Sequence, residues 1–226
     1  MLKNLLRTVI VTGQVIALVA FFMHSSGEGA HVVNLPDPAV DMDRSAAKGI
    51  ETAVLAGGCF WCTEAVFEQL LGVEKVVSGF AGGDAATAHY EIVSEGRTNH
   101  AESIQITYDP SKITYGRLLK VFFSVAHDPT QLNRQGPDSG RQYRSAIFFK
   151  DAEQKRIAES YIHQIQQAKV FDRPIVTEVV PLQRFYPAEE YHQHFVKRNP
   201  THPYVVVNAL PKLEKLKKQF GPLLKK

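Results

Sequence analysis

A short motif around the chain's only two cysteines constrains the fold more than any other part of the sequence. Residues 57–62, Gly-Gly-Cys-Phe-Trp-Cys, follow an apolar run at 51–56 and precede an amphipathic run at 63–71. An extended apolar run, paired glycines and then helical periodicity predict a strand, a tight turn and a helix whose first turn begins at the cysteines. The two thiols are therefore expected where a strand meets a helix.

A thiol at the start of a helix meets unpaired backbone N–H groups and the positive end of the helix dipole. Both favour the thiolate over the thiol. We therefore expect Cys59 to be an activated nucleophile.

Three other interpretations of the motif remain open from the residues alone. A free cysteine is often a small buried hydrophobe. C-x-x-C is also half of a zinc site, but the sequence has no second C-x-x-C, and its histidines are scattered, so we expect no metal. C-x-x-C at a helix start is also typical of a thioredoxin-like dithiol. Phe60 and Trp61 are bulky side chains between the two cysteines. They favour a site that binds a small apolar group over the site of a general disulfide oxidoreductase, which must admit the disulfide of another protein.

Composition indicates an ordinary globular chain. With 226 residues, 44% hydrophobic and 22% charged, the sequence is typical of one folded domain. The formal charge of +3 is small and dispersed, which argues against a nucleic-acid partner. The lysine-rich end after residue 211 is interpreted as a solvated helical face.

The N-terminus has the layout of an export signal. Lys3 and Arg7 precede an apolar run at 8–23, and small residues follow at 25–30. The run is short for a membrane span, which needs about 20 apolar residues. We interpret residues 1–30 as an export signal or membrane anchor, 31–49 as a linker and 50–226 as a single catalytic domain. Export predicts a periplasmic or cell-envelope location, where disulfides persist.

The folded part is predicted to be α+β. Strands are expected at 51–56, 73–80, 102–108 and 143–149, with helices at 63–71 and 115–125. The order β-α-β-β-α-β is that of a ferredoxin-like, split βαβ plait, an antiparallel or mixed sheet backed by helices. A further helix at 151–169, a further strand at 175–181 and an irregular C-terminal extension from 185 complete the prediction.

Several motifs, in order along about residues 50–205, carry a family resemblance. Gly58-Cys59-Phe60-Trp61 is similar to the active-site signature of the A-type peptide methionine sulfoxide reductases. Further blocks that resemble the same family are Val77-Ser78-Gly79-Phe80-Ala81-Gly82-Gly83, His100-Ala101-Glu102, His127-Asp128-Pro129-Thr130, Asn133-Arg134-Gln135-Gly136-Pro137-Asp138, Gln142-Tyr143-Arg144-Ser145 and Phe185-Tyr186-Pro187-Ala188-Glu189-Glu190-Tyr191-His192-Gln193.

The resemblance implies a role for each of several residues. Cys59 would attack the sulfoxide sulfur and become a sulfenic acid. Glu102 would bond the sulfoxide oxygen and supply its proton, which requires a neutral carboxyl with a pKa raised by burial. The remaining site residues implied by the family are Tyr90 and Tyr143 as phenolic donors to that oxygen, Asp138 as a carboxylate organising the substrate end, and Phe60 and Trp61 as the wall for the substrate methyl group.

The resemblance also implies the substrate and the electron source. It implies reduction of methionine S-sulfoxide in proteins, peptides and free methionine, and so the repair of oxidised proteins. No metal, flavin or nicotinamide would be bound, and electrons would come from a thioredoxin-like dithiol. We expect a monomer. His192 and His194 are expected to have structural roles.

The sequence departs from the common family pattern at the recycling thiol. Cys62 stands where many members have glycine, and no cysteine follows Tyr204, where several relatives keep one. Cys62 could resolve the sulfenic acid as an intramolecular disulfide, or be a packed bystander while an external dithiol attacks Cys59.

Two other functions remain as alternatives. One is a C-x-x-C disulfide oxidoreductase. The other is a binding module that holds an apolar group against the aromatic pair.

Overall fold

The computed structural model describes residues 34–44 and 49–226, which form a mixed α+β fold. The predicted signal or anchor, residues 1–30, lies outside the described residues, as does part of the predicted linker. In the described ranges, none of the helices combines the length and apolarity that crossing a bilayer requires.

A six-stranded sheet forms the centre of the fold. Its strands run in the order β7-β6-β1-β3-β2-β8, and every neighbouring pair is antiparallel except β6 and β7. A separate two-stranded hairpin consists of β4 and β5. The strands are β1 (Glu51–Gly57), β2 (Val73–Ala81), β3 (Ala101–Tyr108), β4 (Arg134–Gln135), β5 (Asp138–Ser139), β6 (Ser145–Phe149), β7 (Glu178–Pro181) and β8 (Phe185–Pro187).

Helices accompany the sheet. They are α1 (Phe60–Glu68), α2 (Tyr90–Ser94), α3 (Tyr115–Val121), α4 (Ala152–Gln167), α5 (Phe195–Arg198) and α6 (Leu210–Phe220). Two begin with a side-chain cap: the Thr114 hydroxyl accepts from the Arg117 N–H at 3.2 Å, and the Asp151 carboxylate accepts from the Gln154 N–H at 2.8 Å. Such caps satisfy backbone donors that a helix start leaves unpaired.

The alternation of β3 places one carboxylate in the core. Ile104, Ile106 and Tyr108 point to the same face and join the main hydrophobic cluster together with residues of α1 and α3. Because side chains two apart on a strand share a face, Glu102 continues that buried row. The same pattern that builds the core therefore buries an acid at its end.

The structure differs from the sequence prediction at both ends of the domain. Within the predicted linker, Leu35 is buried, the Tyr161 hydroxyl donates to the Pro36 carbonyl at 3.0 Å, and the Gly116 N–H donates to the Asp41 carboxylate at 2.8 Å. Residues 34–44 thus pack against the domain.

The C-terminal extension is not irregular throughout, because its lysine-rich end forms the regular helix α6, which agrees with the helical face expected after residue 211. Its proline lies in the first turn, where no N–H is needed, so it does not break the helix.

Candidate active site

Gly58 links β1 to α1 and sets the position of the cysteines. Its φ of 87° lies in the left-handed region, and a Cβ there would come within 2.4 Å of the Gln135 Cβ. Only glycine meets both conditions without strain. Cys59 follows as the N-cap of α1, as the paired glycines predicted.

Gly58→Ala should destabilise the fold. A left-handed alanine and a clash with a packed side chain together should cost about 2–4 kcal/mol, measured by urea unfolding. Gly221→Ala is the matched control, because Gly221 has φ −44° and open space around its Cα. Equal stability of the two variants would contradict the assigned turn geometry.

The two thiols form a buried, hydrogen-bonded pair. Both cysteines are free and buried. Burial, followed by the bond to Cys62, raises the pKa of the Cys59 thiol well above its usual value. The hydrogen bond from Cys59, with help from the nearby Lys212 charge, lowers the pKa of Cys62 to about 7.

Burial of the Cys59 thiol therefore opposes the ionisation that the start of a helix was expected to favour. The two thiols are coupled by their hydrogen bond, so the pair loses its first proton as a unit.

Glu102 has the properties expected of an acid. Its side chain is 2% exposed, and burial raises its pKa to about 8, so the neutral carboxyl predominates at pH 7. Its Oε2 accepts the Phe60 N–H at 3.0 Å, which fixes the carboxyl at the start of α1, next to Cys59. The thiol pair and a proton-bearing carboxyl thus share one site.

The two predicted phenols lie near this carboxyl. Tyr90 begins α2, and its half-buried ring stacks on Phe60 with centroids 6.4 Å apart. Tyr143 ends a 3₁₀ turn just before β6 and packs with the cluster that contains both cysteines. Burial, with the Glu102 charge second, raises the pKa of Tyr90 to about 12 and that of Tyr143 further. Both phenols therefore keep their protons and can donate hydrogen bonds.

Phe60 and Trp61 have different surroundings. Phe60 is fully buried, with ring centroids 5.8 Å from Phe80 and 5.1 Å from His192. Trp61 is partly exposed and stacks on Phe195, with centroids 3.7 Å apart and planes within 8°. Part of the Trp61 indole therefore remains accessible to solvent, whereas the Phe60 ring is enclosed by other side chains.

The C-terminal region contributes three residues to the site, of which sequence reasoning gave His192 a structural role and missed Tyr204 and Phe195. The Tyr204 hydroxyl bonds the Asp138 carboxylate and also contacts both thiols. The Trp61 indole N–H donates to His192 Nδ1 at 3.0 Å. Phe195 covers the indole face. Their only sequence signal was the unusual density of aromatic residues after position 185.

Asp138, predicted to organise the substrate end, is half-buried in the short strand β5, and burial raises its pKa. Its carboxylate accepts a hydrogen bond from the Tyr204 hydroxyl. The structure therefore brings all eight predicted site residues to the region around the start of α1.

Among the described residues, one group of side chains has the spacing of metal ligands, namely Glu64, Glu68 and His194. It includes neither cysteine. The chemistry available at the thiol pair is thus nucleophilic attack by sulfur, aided by a neutral carboxyl and two phenols.

Comparison with known proteins agrees with this chemistry. The family model described as peptide methionine sulfoxide reductase matches residues 51–223. Peptide methionine sulfoxide reductase MsrA 2 of Synechocystis sp. is 57% identical over 193 residues, which cover 84% of this chain and 90% of that protein. The MsrA 2 protein of Mesorhizobium japonicum is 59% identical over 182 residues, covering 80% and 93%.

The chain is also similar to a solved structure from the same family. Methionine sulfoxide reductase A of Corynebacterium diphtheriae is 36% identical, with a TM-score of 0.59 over 77% of this chain and 87% of that one. The chain therefore belongs to the peptide methionine sulfoxide reductase family and reduces methionine sulfoxide, the reaction that repairs oxidised proteins.

Proposed function

We propose that this reductase acts on the S-epimer of methionine sulfoxide, in proteins, peptides and free methionine, with Cys59 as nucleophile and Glu102 as acid. The observation that carries the assignment is the neutral, buried Glu102 carboxyl held at the helix start beside the Cys59–Cys62 pair. Epimer choice follows from family membership, since each sulfoxide epimer has its own enzyme. Separate assays of the two epimers test it: reduction of the R-epimer at a comparable rate would contradict the proposal.

In the first step, Cys59 attacks the sulfoxide sulfur. Its proton passes to the Cys62 thiolate along the existing hydrogen bond, and Glu102 gives its own proton to the sulfoxide oxygen. The S–O bond breaks as the oxygen moves to Cys59, which leaves methionine, a Cys59 sulfenic acid, a Cys62 thiol and an ionised Glu102. Sulfur of the substrate is reduced by two electrons, and sulfur of Cys59 is oxidised by two.

The surrounding side chains orient the substrate. Tyr90 and Tyr143 keep their protons and donate to the sulfoxide oxygen, where negative charge develops before Glu102 protonates it. The accessible part of the Trp61 indole and the neighbouring Phe60 ring form the wall that receives the terminal methyl group of the substrate. Asp138, which the Tyr204 hydroxyl holds by a hydrogen bond, organises the substrate end of the site.

In the second step, Cys62 resolves the sulfenic acid. The Cys62 sulfur bonds to the Cys59 sulfur, and the hydroxyl leaves with a proton as water. Because the sequence contains two cysteines only, the chain has no further thiol to pass the disulfide to. We therefore propose that a thioredoxin-like dithiol reduces the Cys59–Cys62 disulfide directly, and that no metal, flavin or nicotinamide in the enzyme carries these electrons.

Cys62→Ser should separate the two steps. The variant should still form one methionine per chain, more slowly because the proton acceptor is lost, and then stop at the sulfenic acid. Dimedone labelling of Cys59, detected by mass spectrometry, should rise from near zero in the parent to most of the protein. Full turnover of Cys62→Ser with thioredoxin at the parent's rate would make Cys62 a bystander.

We further infer that β1, β2, β3 and β6, with α1 and α3, form the ferredoxin-like plait. The strand order β6-β1-β3-β2 and its antiparallel pairing support this, as does the shared core of the two helices. An experimental structure with α1 and α3 on opposite faces of the sheet would contradict it.

We also propose that residues 1–30 direct the enzyme to the periplasm or cell envelope, as a cleaved signal or a membrane tether, and that it acts there as a monomer. The basic start and the apolar run at 8–23 support export. Fusion of residues 1–30 to a reporter phosphatase that folds only outside the cytoplasm tests this. An inactive fusion would contradict export.

A further inference from the structure

Three ligand-bearing side chains meet beside α1, apart from the cysteines. Glu64 and Glu68 are four residues apart on the helix and so share a face. His194 precedes α5, and its Nδ1 hydrogen-bonds the Glu68 carboxylate. One ligand atom from each of the three residues lies within 4.8 Å of the other two.

Glu64 is the unexplained member of this group. Its side chain is 1% exposed, and its Oε1 has no hydrogen-bond partner among the described residues. A buried carboxyl oxygen without a partner costs free energy. Sulfoxide reduction does not use this carboxyl.

We propose that Glu64, Glu68 and His194 form a binding site for a divalent transition-metal ion of the zinc class, with water completing its coordination shell. An imidazole together with carboxylates suits zinc and its neighbours, whereas calcium and magnesium prefer oxygen ligands alone. Zinc lies about 2.0–2.2 Å from nitrogen and oxygen ligands, so the three side chains close in on the ion.

The ion would stabilise the segment that supports the substrate wall. Around His194, residues 192–195 are tied to α1 and β2: His192 bonds the Trp61 indole, Gln193 accepts the Ser78 N–H at 2.9 Å, and Phe195 stacks on Trp61. An ion held by His194, Glu64 and Glu68 adds a further link between this segment and α1. The role is structural, because neither cysteine is among the ligands.

Zinc titration of the full chain tests the site. Cys59→Ser/Cys62→Ser protein serves as the parent so that no thiolate can bind the ion, and it is first treated with chelator. Competition with a chromophoric chelator should show one zinc per chain and a zinc-dependent rise in Tm. Cobalt(II) should give d–d absorption without a thiolate charge-transfer band.

Two further substitutions in that parent locate the ion. Glu64→Gln and His194→Asn should each weaken zinc binding at least tenfold. Asparagine is chosen because it tolerates the left-handed φ of 54° at position 194. His163→Asn, at an exposed histidine of α4, is the matched control and should bind zinc as the parent does.

Either of two results overturns the proposal. One is equal zinc affinity of His194→Asn and the parent. The other is the absence of zinc binding and of cobalt absorption in the parent itself. That result does not depend on whether the substituted variants fold.

Discussion

Cys59→Ser should lower the rate of methionine formation by at least about a thousandfold. A serine hydroxyl stays protonated in this buried site and cannot accept the sulfoxide oxygen as a sulfenic acid does. The measurement is single-turnover methionine formation from a peptide containing methionine S-sulfoxide, without added reductant. The fold should survive, because serine is smaller than cysteine and Cys59 lies at the helix cap rather than inside the helix.

The control for this result is the other member of the thiol pair. Cys62→Ser removes a thiol from the same cluster yet should still yield one methionine per chain. Residual activity of Cys59→Ser equal to that of Cys62→Ser would remove Cys59 from its role as nucleophile.

Glu102→Gln should slow the first step by about 10²–10⁴-fold, the usual contribution of a positioned acid. The substitution preserves shape, and the Gln carbonyl oxygen can still accept the Phe60 N–H. What it loses is the proton for the sulfoxide oxygen. Single-turnover rates between pH 5.5 and 9.5 test both the slower first step and its attribution to the missing Glu102 proton.

The pH dependence of the single-turnover rate should have one rising and one falling limb. The parent rate should rise as the thiol pair loses its first proton near pH 7 and fall as Glu102 ionises near pH 8. Glu102→Gln should keep the rising limb and lose the falling one. An unchanged falling limb would assign that ionisation to another group.

Stability provides a second readout for the same variant. The folded pKa of Glu102 lies above that of an unfolded glutamate, so the parent loses stability as pH rises from about 4.5 to about 8. Glu102→Gln has no such ionisation. Above pH 8 it should be at least as stable as the parent in urea unfolding, which separates a catalytic defect from a folding defect.

Periodicity and turn chemistry predicted much of the fold. The apolar run and the paired glycines placed Cys59 at the start of α1, and the alternation of residues 102–108 placed β3 correctly. The helix begins at Phe60, in agreement with the prediction that its first turn begins at the cysteines, and it ends at Glu68, three residues before the predicted end at 71. Local patterns succeed here because strand, turn and helix are adjacent in sequence.

What the sequence could not predict depends on long-range contacts. The charge distribution within the thiol pair depends on burial and on Lys212, which lies 150 positions after Cys62 in the sequence. The contact of Tyr204 with Asp138 and the cover of Phe195 over Trp61 depend on how the C-terminal region folds back over α1. No local period encodes such contacts, so they become visible only in the folded chain.

The most direct test of the account is the stoichiometry of one turnover. Fully reduced enzyme is mixed with excess peptide methionine S-sulfoxide and no reductant, and methionine and remaining thiols are counted per chain. We predict one methionine formed and both thiols lost, with a Cys59–Cys62 disulfide found by mass spectrometry. No methionine, or methionine formed with both thiols intact, would contradict the thiol-pair mechanism.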